Sequence, residues 1–354
     1  MKIAVDAMGG DQAPKVIVQG AVAAAREYGQ PLILVGDESA VRAELKLLNP
    51  PPGLIEVHHC SEVAGMDEEP AVVLRKKRDA SVRVAFDLVK AGLAQGAVSA
   101  GNSGATLAVG TIVLGRLPGV ERPGIAGVFP TLTGWTVVID VGANVDCKPS
   151  FLYQFGLLAQ AYVQVVMGIE NPKIGLLSIG EEDGKGNELV RHAHDLFRRG
   201  TMNFIGNVEG RDIFPGVADV VVCDGFVGNV VLKLSEGMAE SIGTMLKREL
   251  QAGWLSRVGT LLAYGAFRRF KRRVDYAEFG GAPLLGIKGV GIISHGGSSP
   301  KAIKNAIRTA GEMIRGRVCE RIEESLVRSG FTNGKGRNRR KPNGPDPQPS
   351  SAQA

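Results

Sequence analysis

The chain has 354 residues, 44% hydrophobic and 22% charged, with 48 glycines, four cysteines and a formal net charge of +6. That length has room for one large or two modest α/β units with a sizeable core. The charge is local: residues 247–273 carry +7, residues 331–354 carry +4 and the remainder −5, which excludes a generally basic nucleic-acid binder. Cys60, Cys147, Cys223 and Cys319 form no Cys-x-x-Cys pair, so neither a zinc knot nor a disulfide framework is expected. Met1-Lys2 runs straight into Ile3-Ala4-Val5, leaving no room for a secretory signal. No run approaches the ~18 apolar residues of a membrane span. The expectation is a cytoplasmic protein, soluble or peripheral to a membrane.

Apolar β-branched runs alternate with helix-patterned stretches, which predicts βαβ units around a mainly parallel sheet, a doubly wound α/β/α sandwich. Strands are expected over 2–6, 32–36, 54–58, 96–99, 124–129, 136–140, 173–179, 203–206, 218–223 and 290–294. Helices are expected over 14–28, 38–48, 81–91, 103–114, 150–167, 187–198, 228–251 and 300–327. The chain to residue 330 reads as a single α/β catalytic domain with a protruding amphipathic helical segment at about 240–274. Residues 331–354 read as a disordered basic tail.

Several predicted strands end in a Gly-rich polar turn that opens a helix. These are Asp6-Ala7-Met8-Gly9-Gly10-Asp11, Ser99-Ala100-Gly101-Asn102-Ser103-Gly104, Asp140-Val141-Gly142-Ala143-Asn144, Gly184-Lys185-Gly186-Asn187 and Asp224-Gly225-Phe226-Val227-Gly228-Asn229. Ligands of open α/β sheets bind at the carboxyl ends of strands, where helix N-termini favour anions. One such turn is ordinary turn chemistry; five on one chain point to a phosphate-handling cleft. No Gly-x-Gly-x-x-Gly follows the first strand and no Walker-type Gly-Lys-Ser/Thr is present, which weakens dinucleotide and nucleotide readings.

No Gly-x-Ser-x-Gly elbow or cysteine nucleophile motif is found either. Phosphate itself can then act as nucleophile toward a thioester, which needs a clamp for the dianion, donors at the developing oxyanion and a place for the thiol to leave. Lys185 suits the clamp, with Asn102, Ser103, Asn187 and Asn229 as donors. His295, at the end of the last predicted strand, is a turn residue or an acid/base. Lys185, His295, Asn229 and Asp224 are thus the catalytic candidates. Gly9, Gly10, Asp11, Asn102, Ser103, Gly104, Asn144 and Asn187 are the candidates for holding phosphate and substrate. His58, His59, His192 and His194 read as surface, and Glu181-Glu182-Asp183 as a solvated loop instead of a metal site.

Taken in order, these turns resemble the PlsX family of acyl-[acyl carrier protein]:phosphate acyltransferases. Gly115-Arg116 with Arg122-Pro123, Ile179-Gly180-Glu181-Glu182, Gly280-Gly281-Ala282-Pro283-Leu284-Leu285-Gly286 and Ser294-His295-Gly296 extend the match. Ser178 and Ile293 depart from it, standing where many relatives have Asn and Lys; Lys185 or Lys288 would then supply the positive charge. The resemblance implies a fold related to phosphate acetyltransferases and isocitrate dehydrogenases, a homodimer, and no metal, nucleotide or other cofactor. It also implies inorganic phosphate and acyl carrier protein as substrates, and a membrane glycerol-3-phosphate acyltransferase as consumer of the acyl phosphate. The competing readings are a short-chain phosphate acyltransferase acting on acyl-CoA, a nicotinamide-dependent dehydrogenase, and a membrane-recruitment protein without catalysis.

Residues 254–274 carry two apolar stripes that do not line up, one through Trp254, Leu261 and Leu262 and one through Phe267 and Phe270, with Gly265 between them. The second is flanked by Arg268 and Arg269. Two short amphipathic pieces are therefore expected, contacting an anionic membrane through Leu261, Leu262, Phe267, Arg268 and Arg269. Packing in a dimer interface, or receiving the acidic carrier protein, are the alternatives.

Overall fold

The computed structural model describes residues 1–274 and 278–330, the side chains of 271–274 excepted. The predicted tail at 331–354 lies outside the described residues. Among the described residues eleven strands form one sheet: β1 (Ile3–Asp6), β2 (Leu32–Gly36), β3 (Ile55–His59), β4 (Gly96–Ser99), β5 (Gly124–Pro130), β6 (Trp135–Ile139), β7 (Ile174–Leu177), β8 (Phe204–Val208), β9 (Val220–Val222), β10 (Ala282–Leu285) and β11 (Val290–Ile293). Their order is β3-β2-β1-β4-β11-β10-β5-β6-β9-β7-β8. Pairing is parallel from β3 through β11 and again from β6 through β8, while β10 and β5 run antiparallel to their neighbours.

Side chains alternate across the pleat, and the two faces pack on different helices. Ile3, Val5, Val137, Ile139, Val220 and Val222 meet α1 (Lys15–Tyr28), α2 (Glu38–Leu48), α6 (Pro149–Tyr162), α7 (Glu188–Arg198), α11 (Pro300–Arg315) and α12 (Val318–Arg328). Ala4, Val138 and Val221 meet α3 (Pro70–Lys76), α4 (Ser81–Lys90), α5 (Ser103–Leu114) and the root of α8 (Gly225–Gln251). The result is the three-layer, doubly wound α/β/α arrangement that the sequence predicts. Five helices start at capping side chains: Asp37, Asn102, Asn187, Asp224 and Ser299 each accept from first-turn N–H groups, which satisfies donors a helix leaves open.

Several expectations need correction. The single helix expected over 300–327 is two, because Arg317 adopts φ +55 between α11 and α12. Strand β10 and helix α3 were not expected. His194 is buried at 3% exposure instead of lying on the surface: it stands on the inner face of α7, its ring edge-on to Phe204 at 5.1 Å. The break expected at Gly265 falls earlier, at Ala263, between α9 (Trp254–Leu262) and α10 (Tyr264–Val274).

Helix α8 leaves the body after its second turn. From Lys233 to Glu249 every residue except half-buried Ser235 is exposed. At 100° per residue, Val227, Val230, Leu234, Met238, Ile242 and Met245 share one stripe of it, and all six are exposed.

Candidate active site

The carboxyl ends of two trios of neighbouring parallel strands carry the predicted turns. The first trio is β1, β4 and β11. Asp6, at the end of β1, is buried, and its carboxylate accepts from Ser99 Oγ (2.7 Å) and Met8 N (3.2 Å). Burial pushes its carboxyl above the ordinary value, against the pull of the Ser81 and Ser99 hydroxyls. Around it three turns approach too closely for side chains: a Cβ on Gly9 would lie 2.7 Å from Gly101 N, and one on Gly10 (φ +109) 3.0 Å from Gly296 O. Asp11 N donates to Gly296 O at 2.9 Å. Gly297 N donates to Nδ1 of His295 at 3.1 Å, so in the neutral ring Nε2 carries the proton. His295 is exposed.

Thus Gly9, Gly10, Asp11, Asn102, Ser103, Gly104 and His295 belong to one group. Asn102 is fully engaged there: Oδ1 accepts from Ala105 N (2.9 Å), and Nδ2 donates to Met66 O (2.7 Å) and Glu68 O (3.0 Å). It holds the 61–80 segment against the turn, while Ser103 and Gly104 stand exposed at the start of α5.

The second trio is β6, β9 and β7. Asp140 is 0% exposed and accepts from the N–H groups of Ile125 (3.0 Å), Gly142 (3.3 Å), Ala143 (3.0 Å) and Asn144 (2.7 Å), and from Asn144 Nδ2 (2.9 Å). Burial raises its carboxyl, opposed by these bonds. Asn144 O accepts from Gly225 N at 2.7 Å, tying this turn to the start of α8. A Cβ on Gly228 would collide with Asp140 O, so only glycine fits. Asp224 caps α8, accepting from Phe226 N and Val227 N at 3.0 Å each. Asn229 is exposed one turn on and packs beside Gly142.

Lys185 and Asn187 occupy the turn after β7, next to β9 in the sheet. Asn207 Nδ2 donates to Glu182 O (2.8 Å), Arg191 Nη1 donates to Gly186 O (2.8 Å), and Asp183 pairs with Arg198 and, at 3.4 Å, with His194. Asn187 Oδ1 accepts from Val190 N at 2.9 Å, capping α7. Lys185 itself is exposed. Leu261, Leu262, Phe267, Arg268 and Arg269 lie apart from all these turns, on α9 and α10. The residues that sequence reasoning left without a role are Asp6 and Asp140. Their signal was present: an aspartate ending an apolar strand and opening a Gly-rich turn.

All four thiols are pushed upward by burial: Cys60 and Cys147 to about 12, Cys319 to about 11, and Cys223 in the same direction. None is a ready thiolate nucleophile at neutral pH.

Solved structures share this architecture. A phosphotransacetylase from Streptococcus pyogenes superposes with a TM-score of 0.60 at 21% identity, covering 91% of this chain and 94% of that one. The fold is the mainly parallel α/β/α architecture that this structure shares. The chain matches the family described as fatty acid synthesis protein over residues 1–321. It is 60% identical over 327 residues to the phosphate acyltransferase of Trichlorobacter lovleyi and 58% identical over 330 residues to that of Citrifermentans bemidjiense, each alignment covering 92% of this chain and 94% of the relative. The chain belongs to this family, the PlsX-type phosphate acyltransferases, and is an acyl-transferring enzyme.

Proposed function

We propose that the protein moves a fatty acyl group from acyl carrier protein to inorganic phosphate, releasing acyl phosphate for glycerol-3-phosphate acylation by a membrane enzyme. What carries this reading is the set of Gly-rich, anion-suited turns at the carboxyl ends of both strand trios, with none of the four cysteines exposed. A phosphate oxygen attacks the thioester carbonyl carbon, the C–S bond breaks, and the carrier thiol leaves with the electron pair and takes up a proton. A thiol of reference pKa about 8.5 departs without a strong acid. Lys185 clamps the phosphate, and Nε2–H of His295 and the amide of Asn229 donate to the developing oxyanion. Asp6 and Asp140 hold the turns without touching substrate.

Both groups of turns serve one cleft in this reading. Strand direction reverses between β4 and β9, but five steps at about 20–25° of twist accumulate roughly 100–125°, offsetting more than half of that reversal.

The exposed stripe of α8 supports a homodimer, since a second copy of the same stripe would cover it. Leu261, Leu262 and Phe267, with Arg268 and Arg269, support contact with an anionic membrane; Leu262 is 84% exposed. Comparing donors tests the substrate: phosphate-dependent thiol release from palmitoyl-[acyl carrier protein] is expected to exceed that from acetyl-CoA at least tenfold in kcat/KM. The reverse preference would make this a short-chain enzyme.

A further inference from the structure

Four cations in a row, Arg75-Lys76-Lys77-Arg78, close α3 and the turn after it. The chain outside residues 247–273 and 331–354 carries a net −5, so this run stands out from an acidic body. Lys77 turns inward, its Nζ donating to Glu68 Oε2 and Val63 O at 2.7 Å each. Arg75, Lys76 and Arg78 are exposed, and none forms an ion pair among the described residues. Complementing the helix dipole accounts for cations in a last turn; it does not account for Arg78, which lies past the end of α3.

The patch is held in fixed relation to the first group of turns. Asn102 Nδ2 grips Met66 O and Glu68 O, and a Cβ on Gly104 would come 3.1 Å from Pro70 Cγ, so α3 starts against the start of α5. Arg83 Nη1 fixes its far end by donating to Leu74 O at 2.9 Å. A seven-residue helix is about 10 Å long, which places the cations one short helix from Ser103 and Gly104.

We propose that Arg75, Lys76 and Arg78 dock an acidic protein, the carrier on which the thioester arrives, beside the cleft. The inference rests on the acyl-transfer reading above. Charges at the rim of a site raise the encounter rate and fix orientation, and do so less as salt rises. Helix α3 itself offers a membrane no large exposed apolar side chain, since Val73 is buried and Val72 and Leu74 are half-buried; vesicle binding through Val63 and Met66, exposed in the same segment, is an outcome of the test.

The test compares Arg75→Glu/Arg78→Glu, and the milder Arg75→Gln/Arg78→Gln, with wild type on two donors: palmitoyl-[acyl carrier protein] and the carrier-free thioester palmitoyl-pantetheine. Reversal is expected to raise KM for the carrier-bound donor about tenfold at low salt, with kcat and carrier-free turnover within twofold of wild type, and the glutamine pair to fall between. Surface plasmon resonance with holo-carrier protein should show binding to wild type and its loss in the reversed variant, while Arg268→Glu/Arg269→Glu binds as wild type. Equal losses on both donors, an unchanged KM for the carrier-bound donor, or a loss confined to vesicle binding overturns the docking surface. Wild type that turns over neither donor overturns the acyl-transfer reading, and carrier binding in the resonance assay is judged separately from it.

Discussion

Asp140 Oδ2 receives both donors of one residue, Asn144, the backbone N–H at 2.7 Å and Nδ2 at 2.9 Å. With three further N–H groups on Oδ1, this buried carboxylate sets the shape of the second group of turns. Asp140→Asn puts an NH2 group against N–H donors and leaves some of them unsatisfied. A loss of about 3 kcal/mol in unfolding free energy is expected by urea titration, together with loss of turnover. Wild-type stability in this variant would remove Asp140 from its organising position.

Lys185→Ala is expected to lower kcat by about 10²-fold, the scale for losing one electrostatic stabiliser of the transition state. Lys185 is exposed in a Gly-Lys-Gly turn whose backbone is held by Asn207 and Arg191, so Tm should not change. Near-wild-type turnover at saturating phosphate with unchanged Tm would take Lys185 out of the site.

Acid should loosen the 61–80 segment ahead of the sheet. The Ser61 hydroxyl and N–H hold Asp79 below the ordinary carboxylate range, and Lys77 with Gly65 N holds Glu68 below it. A depressed folded pKa contributes stability that is present above the unfolded value of about 4 and is lost as pH falls through the folded one. Asp6 and Asp140 act in the opposite sense, because raised carboxyls lose stability as pH rises from that same unfolded value. Hydrogen exchange read at pH 5 and pH 3 should show protection lost in residues 61–80 first. Uniform loss across the sheet would contradict the assignment.

The layers were legible because strands covered on both faces are continuous apolar runs, as at β1, β2 and β6, and helical periodicity marks the stretches between them. Strand β10 was not, because Pro283 argues against a central strand. The structure accommodates it: Pro283 stands opposite Ile292 of β11, while β5 pairs only with Leu284 and Leu285. The turns were found from Gly, Asn and Asp spacing, yet Asn102, Asn187 and Asp224 spend their side-chain oxygens on helix caps. Spacing identifies a turn and leaves open whether its polar groups face inward or toward a ligand. His194 was misplaced because a polar residue on a helix reads as solvent-facing until Phe197 and Phe204 are seen packed around it.

The protruding helices carry two separable predictions. Leu234→Glu/Met238→Glu should convert a dimer to a monomer by light scattering, whereas Leu261→Glu/Phe267→Glu should leave the mass unchanged. The second pair, and not the first, should abolish flotation with phosphatidylglycerol vesicles at low salt. Flotation by both variants as in wild type would show that α9 and α10 are structural.

In the proposed reaction phosphate takes the acyl group from the carrier directly. Wild type incubated with palmitoyl-[acyl carrier protein] and phosphate, then trapped with hydroxylamine, should yield palmitoyl hydroxamate in step with free carrier thiol and none when phosphate is omitted. Hydroxamate formed without phosphate, or none formed with it, would rule out direct transfer to phosphate.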